Sequence, residues 1–213
     1  MPFLPLRMTL DALQALCPDV YPDWYERTYG PPSALYRDAP LNNCSVPGHA
    51  AAPAFGAFLQ GYLRGKVLDL GCGPYAKPLY LADYPDALLS GLDPLPPFMP
   101  HPFEFAQGVA EFLPWPGDTF DVVITGTSLD HALVLDKVLS EIARVLVPGG
   151  RWVAWEHVGG HSERYDPYAG QFPGRDSCHL FKLGAWFVYD VAAHGLALER
   201  QQGEFYVFRR RNE

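Results

Sequence analysis

The residues best placed for chemistry in this chain sit where apolar runs meet acids and glycines. In KVLDLGCGPYAKP (residues 66–78), Asp69 lies near the end of an apolar run and Gly71 and Gly73 follow it. Glycines there let the backbone turn sharply and approach a ligand closely. Ala76 completes the Gly-x-Gly-x-x-Ala spacing that cradles dinucleotides. A carboxylate beside a pyrophosphate would be repelled, whereas beside an ammonium it would be attracted. Asp93 ends the next apolar run, ALLSGLD. A carboxylate in that place can accept hydrogen bonds from both hydroxyls of a ribose. A ribose and an ammonium without a phosphate suggest S-adenosylmethionine.

A second group lies further along. TGTSLDH (125–131) carries Thr127, Asp130 and His131. Thr127 is a candidate cofactor contact, and His131 is the first candidate for a general base acting on a hydroxyl, with Asp130 beside it. Structural roles stay open for both: Asp130 can cap a following helix, and His131 can sit at that helix's start. His157, in WEHVGG, and His179, in DSCHLF, are candidate substrate contacts; Asp176 near the latter would serve as a helix cap. Asn42, Asn43 and Ser45 can bind a polar acceptor or simply form turns. The four cysteines, Cys17, Cys44, Cys72 and Cys178, show no CxxC pair and no zinc spacing, so free thiols and no metal are expected.

These positions need a scaffold that gathers strand ends along one rim. From residue 66 short β-branched runs alternate with helical stripes: KVLDL, ALLSGLD, FEFAQG, FDVVIT and RWVAWEH read as strands. A short helix through LYLADY is expected after Pro78, and a longer one over DKVLSEIARVL, stopped by PGG. FKLGAWFVYDVAAHG reads as a helix ended by Gly195, and LALERQQGEFYVFRR as a hairpin turning near Gln202–Gly203. The alternation implies an open parallel sheet with helices on both faces, whose ligands bind beyond the carboxyl ends of the strands. AFGAFLQGYL (54–63) places Phe55, Phe58, Leu59 and Tyr62 on one helical stripe. Residues 1–60, rich in proline and aromatics, read as a packed cover with short helices, and residues 61–213 as the binding core.

Composition narrows the function. The 213 residues are 48% hydrophobic and 14% aromatic, enough to bury one sizeable core. The formal net charge of −8 argues against a large nucleic-acid substrate. FRRR (208–211) is the local exception and reads as a solvated terminus. No apolar stretch approaches the roughly 20 residues that cross a bilayer, and the N-terminus lacks a signal-peptide pattern. A soluble cytoplasmic protein is expected.

VLDLGCGP, GLDP, GVAEFLPWPGDTFDVVI and SEIARVLVPGGRWV, in that order over about residues 66–155, resemble the class I S-adenosylmethionine-dependent methyltransferases. The resemblance implies a Rossmann-like, doubly wound α/β sheet of seven strands with the last antiparallel. It also implies that Asp69, Gly71 and Gly73 cradle the methionine end, that Asp93 holds the ribose, and that Ala110 and Glu111 lie at the adenine. Many members carry a third glycine where Pro74 and Tyr75 stand, and an acid where Val109 stands. Tyr75 then either roofs the cofactor or packs. Adenine recognition rests on backbone groups or Glu111. NNCSVPGH, GCGPYAKPLYL, AEFLPW and TSLDHAL are similar to bacterial members associated with sugar and polysaccharide biosynthesis, which implies a small-molecule, carbohydrate-like or natural-product hydroxyl as acceptor. Two other readings remain: an inactive methyltransferase-like binding or activator module, and an NAD(P)-dependent oxidoreductase using Gly71, Gly73 and Ala76.

Overall fold

The computed structural model describes residues 6–29, 38, 46, 48–159, 164, 166–168 and 183–212. Two helices open the chain, α1 (Leu6–Leu16) and α2 (Tyr21–Tyr29), and α3 (Ala52–Leu59) precedes the first strand. There follow β1 (Val67–Leu70), β2 (Leu89–Asp93), β3 (Glu104–Gln107) and β4 (Phe120–Gly126). Then come α4 (Leu135–Val145), β5 (Leu146–Trp155), α5 (Phe187–Ala193) and the hairpin of β6 (Leu196–Gln202) and β7 (Phe205–Arg210). The strands form one seven-stranded sheet in the order β3-β2-β1-β4-β5-β7-β6. β1 through β5 run parallel, and β7 lies antiparallel between β5 and β6. The strand order reverses between β1 and β4, where open α/β sheets bind ligands.

Side chains alternate across a strand, so each strand feeds two cores. Leu68, Leu70, Leu92, Val123, Trp152 and Phe208 pack on one face with α4, α5 and the N-terminal Leu13, Val20 and Trp24. Val67, Val122, Ile124, Val153 and Val207 pack on the other with Phe55 and Leu59 of α3. Burial of one such large side chain contributes about 1.5–3 kcal/mol. Among the described residues no helix is long and apolar enough to cross a membrane. The described thiols, Cys17 and Cys72, are free and buried.

Three local expectations change. LYLADY forms no α-helix: residues 71–88 contain only two 3-10 turns, Leu79–Leu81 and Asp86–Leu88. Lys77 fixes the first turn to the second, its Nζ donating to the Tyr84 carbonyl and to Asp86 Oδ1, both at 2.6 Å. PGG does not stop α4, which runs directly into β5, so the proline and both glycines lie inside a strand. There β5 pairs Leu146 with Phe120 and then Arg151 with Val122, an irregularity that tolerates a proline without an N–H. Gly150 is required at that site, because a Cβ would meet the Val147 carbonyl oxygen at 2.8 Å. The late helix is shorter than FKLGAWFVYDVAAHG: Leu183 bridges to Val158, and the helix starts at Phe187.

Candidate functional site

The carboxyl ends of β1 and β2 each present a buried acid. Asp69 is fully buried, and the Tyr80 hydroxyl donates to its Oδ2 at 2.9 Å. Its Oδ1 has no hydrogen-bond partner among the described residues. Burial pushes the Asp69 carboxyl up to about 7, opposed by the Tyr80 bond and reinforced by the charge of Asp93. Asp93 is gripped from both sides: Gly73 N–H donates to Oδ2 and Leu95 N–H to Oδ1, each at 2.9 Å. Burial raises it to about 6 despite those two bonds.

Between the acids, the glycine turn adopts a conformation that side chains resist. Gly71 has φ of 80° and Gly73 of 78°. A Cβ on Gly71 would lie 2.5 Å from the Ser128 Cβ. Pro74 accepts a hydrogen bond from Phe98 N–H at 2.8 Å, and the Tyr75 ring meets Phe98 edge-on at 5.5 Å. The turn is thereby tied to the loop after β2.

The loop after β4 closes the rim from the other side. Thr127 takes φ of 55°, rare for a β-branched residue, and donates its N–H to the Trp155 carbonyl at 2.8 Å. Ser128 Oγ donates to the Leu70 carbonyl at 2.8 Å, joining this loop to the end of β1. Leu129–His131 form a 3-10 turn in which His131 Nε2 stands 3.9 Å from Asp130 Oδ1, both side chains partly exposed. The Trp24 indole N–H, from α2, donates to the His131 carbonyl at 2.8 Å. The N-terminal helices are thus pinned to the turn that carries the candidate base.

Glu111 serves the backbone at the entrance to α4. The buried Glu111 Oε1 accepts the N–H groups of Leu133 at 2.7 Å and Val134 at 3.1 Å, at the entrance to α4. Burial raises its pKa, those bonds and Lys137 lower it, and burial prevails. With that carboxyl engaged, the backbone of Val109 to Glu111, including the half-buried Ala110, is what this stretch offers a base ring. His157 is well exposed and pairs through Nδ1 with Glu204 Oε1 at 2.7 Å. His179, Asp176, Asn42, Asn43 and Ser45 lie outside the described residues.

Sequence reasoning missed Tyr80, Trp24 and Glu156. Glu156, the residue after β5, is 1% exposed. The signal that selected Asp69 and Asp93, an acid at the end of a buried strand, applies equally to Glu156, but the neighbouring His157 drew the reading.

An orphaned, buried carboxylate oxygen beside a glycine turn complements a cation or a hydrogen-bond donor. Lys77, a cation close to the turn in sequence, is held by Tyr84 and Asp86. Each Asp93 oxygen, with one N–H already bound, keeps a lone pair for a hydroxyl. The residues present therefore fit a nucleoside bearing an amino acid better than a pyrophosphate.

Comparison with known proteins agrees with this geometry. Residues 68–154 match the family described as a methyltransferase domain. An uncharacterized methyltransferase of Bacillus subtilis, YcgJ, is 32% identical over 77 residues, covering 36% of this chain and 30% of that protein. The ubiquinone/menaquinone biosynthesis C-methyltransferase UbiE of Methylococcus capsulatus is 39% identical over 69 residues, covering 30% and 28%. The chain thus spans less than a third of the length of these curated relatives. The crystal structure of YcgJ superposes with a TM-score of 0.55 over 71% of each chain, at 23% identity. A Burkholderia thailandensis 1,6-didemethyltoxoflavin-N1-methyltransferase, solved with its acceptor and S-adenosylhomocysteine, superposes with a TM-score of 0.62 over 84% of this chain and 85% of that one, at 16% identity.

Proposed function

We propose that this chain is a class I S-adenosylmethionine-dependent methyltransferase, a reading supported by its methyltransferase-domain match over residues 68–154, and that it transfers a methyl group from that cofactor to a hydroxyl of a carbohydrate-like or natural-product small molecule in the cytoplasm. The observation that carries the cofactor assignment is the orphaned Asp69 Oδ1 beside the Gly71–Gly73 turn, with Asp93 gripping the same turn. In this reading Asp69, Gly71 and Gly73 hold the amino-acid end, and Asp93 accepts the ribose hydroxyls. The Val109–Glu111 backbone and Ala110 face the adenine, and Thr127 lines the cofactor from the far side. When bound, S-adenosylmethionine supplies an electrophilic methyl on a sulfonium, and its transfer leaves a neutral thioether.

The chain's own task is then positioning and proton removal. A hydroxyl oxygen that forms a bond to carbon must lose its proton, and His131 Nε2 takes it. Asp130, 3.9 Å away, stabilises the resulting imidazolium. His157 and His179 contact polar groups of the acceptor. The net charge of −8 favours a small acceptor over a nucleic acid.

Calorimetric titration with S-adenosylhomocysteine, beside NAD and NADP, tests the cofactor. Micromolar binding of the first alone is expected; tighter binding of a dinucleotide would overturn the assignment in favour of an oxidoreductase. An ammonium favours ionised Asp69, and ribose hydroxyls favour ionised Asp93. Both hold protons in the free protein below about pH 6–7. Binding should therefore release protons, and affinity should rise roughly tenfold or more from pH 5.5 to 8, levelling above the Asp69 value. Titration in two buffers of different ionisation enthalpy reads that release. In the free protein the sign is opposite. A raised carboxyl pKa means the folded chain binds more protons than the unfolded one. The contribution of these two acids to stability is full below their unfolded value of 3.8 and is lost as pH rises through 6–7.

His131→Ala tests the base. With sugar or phenolic hydroxyl acceptors, kcat should fall on the order of 100-fold, with S-adenosylhomocysteine affinity unchanged within about threefold. Full activity of His131→Ala would move the proton to another group.

A further inference from the structure

The segment after the glycine turn must satisfy its carbonyls without a helix, because only two 3-10 turns follow it before β2. The loop from β2 to β3 does this from outside. Phe98 N–H donates to the Pro74 carbonyl at 2.8 Å, and the Phe98 ring meets Tyr75 edge-on. Further along the same loop, His101 Nδ1 lies 3.0 Å from the Ala76 carbonyl oxygen. A carbonyl only accepts, so Nδ1 carries the hydrogen and the imidazole is held as the Nδ1–H tautomer.

His101 is itself fixed. Its ring packs against those of Phe103 and Phe105, with centroids 4.9 and 4.3 Å away. Phe103 in turn lies so close to β2 that a Cβ on Gly91 would meet its ring at 2.6 Å. The buried His101 Nε2 has no hydrogen-bond partner among the described residues. Burial lowers the pKa of the ring, opposed by the bond to Ala76, so it carries no charge at neutral pH.

The other end of the loop is fastened to the second acid. Leu95 N–H donates to Asp93 Oδ1, and Gln107 Nε2 donates to the Pro94 carbonyl at 3.0 Å. Between these ties and His101 stand Pro96, Pro97 and Pro100, whose fixed φ reduces the entropy lost when the loop is ordered. Gly73 N–H donates to Asp93 Oδ2, which closes a ring of contacts from the glycine turn through Asp93 and the loop back to Ala76.

Resting on the methyltransfer reading above, we propose that His101 is a positioning residue for the cofactor: by donating to the Ala76 carbonyl it fixes the glycine turn relative to Asp93, so that the amino-acid end and the ribose of one ligand are met together. It acts through Ala76 and not by contact with the ligand.

Nitrogen NMR of the free protein reads the tautomer directly. His101 should be Nδ1–H, and the Nε2–H tautomer would overturn the proposal. Calorimetry then compares His101→Asn with His101→Gln. The ligands are S-adenosylhomocysteine and 5′-methylthioadenosine, which has the adenosine and the thioether but no amino-acid end. The asparagine amide nitrogen falls near the place of Nδ1, the glutamine one near that of Nε2. Asparagine should keep both affinities within about threefold and leave the Phe98 amide protected from hydrogen exchange. Glutamine should weaken S-adenosylhomocysteine about tenfold, the upper end for one neutral hydrogen bond. It should keep 5′-methylthioadenosine within about threefold and lose protection at Phe98. If the glutamine variant does not fold, His101→Phe, which keeps the ring packing and removes the donor, should show the same selectivity. Equal weakening of both ligands would overturn the proposal by showing general damage. So would S-adenosylhomocysteine affinity within threefold of wild type in the glutamine or phenylalanine variant, or an asparagine variant as weak as either. Tautomer and exchange are read without any ligand, so failure of the methyltransfer reading, seen as absence of S-adenosylhomocysteine binding by wild type, stays separate from failure of this one.

Discussion

Asp93→Ala should weaken S-adenosylhomocysteine binding at least 100-fold while leaving a folded protein. The carboxylate makes two bonds to backbone N–H groups, Gly73 from the glycine turn and Leu95 from the loop after β2. Hydrogen bonds to a charged group are each worth about 1.5–3 kcal/mol. Truncation removes those two and any bond to a ribose. It also leaves the Gly73 N–H buried without its acceptor and free to reorient the turn. A tenfold loss in affinity corresponds to about 1.4 kcal/mol, so 100-fold requires the loss of only one or two such bonds. Asp93→Asn separates the contributions. It keeps one acceptor oxygen but turns the other position into a donor facing an N–H, so it should behave nearly as badly as alanine. Calorimetry on both variants, with circular dichroism as the folding control, checks this. Affinity within threefold of wild type for Asp93→Ala would place the ribose elsewhere.

Gly71→Ala should injure stability and catalysis together. At φ 80° any side chain is strained, and the new Cβ would lie 2.5 Å from the Cβ of Ser128 and 3.0 Å from its Oγ. The left-handed conformation costs roughly 1–2 kcal/mol and overpacking about 1–3 kcal/mol. A total of about 2–5 kcal/mol lowers Tm by roughly 4–20 °C in a chain of this size. The catalytic effect follows from where the pressure goes. Ser128 moves, its bond to the Leu70 carbonyl breaks, and the Thr127–His131 turn shifts with it. A displacement near 1 Å can cost on the order of 100-fold in rate. Gly203→Ala is the control: φ is 60° there too, but nothing lies within 4 Å of the added Cβ. It should lose about 1 kcal/mol and no activity. Equal effects of the two substitutions on kcat would show that the contact with Ser128 does not matter.

Much of this architecture is legible in the residues themselves. Strands such as FDVVITG announce themselves because both faces of a central parallel strand are buried, which leaves a continuous apolar run. The stripe Val138, Leu139, Ile142 and Val145 names the face of α4 that packs on the sheet. Asp69 and Asp93 were legible because their position at strand ends is itself a sequence signal. Pro148, Gly149 and Gly150 misled because the local rule that ends a helix is also the rule for an irregular strand, and only pairing with β4 decides between them. The structural service of Glu111 was illegible in another sense. Glu111 serves backbone groups elsewhere in the chain, those of Leu133 and Val134, and no local pattern records such long-range service. Trp24, bound to a carbonyl 107 positions away, is the extreme case.

The absence of an α-helix between Gly71 and Leu88 bears on which ligands the rim discriminates against. In dinucleotide-binding folds the glycine turn opens a helix whose aligned peptide dipoles place about half a positive charge at its N-terminus, and a pyrophosphate rests on it. Here the two isolated 3-10 turns sum to no comparable dipole, and Asp69 and Asp93 give the rim a negative potential instead. A dianionic ligand meets a field that rejects it, while a zwitterion can lay its cationic end against the acids at little electrostatic cost. On the proposed reading, the two aspartates that would hold one nucleoside would also screen out the commoner ones.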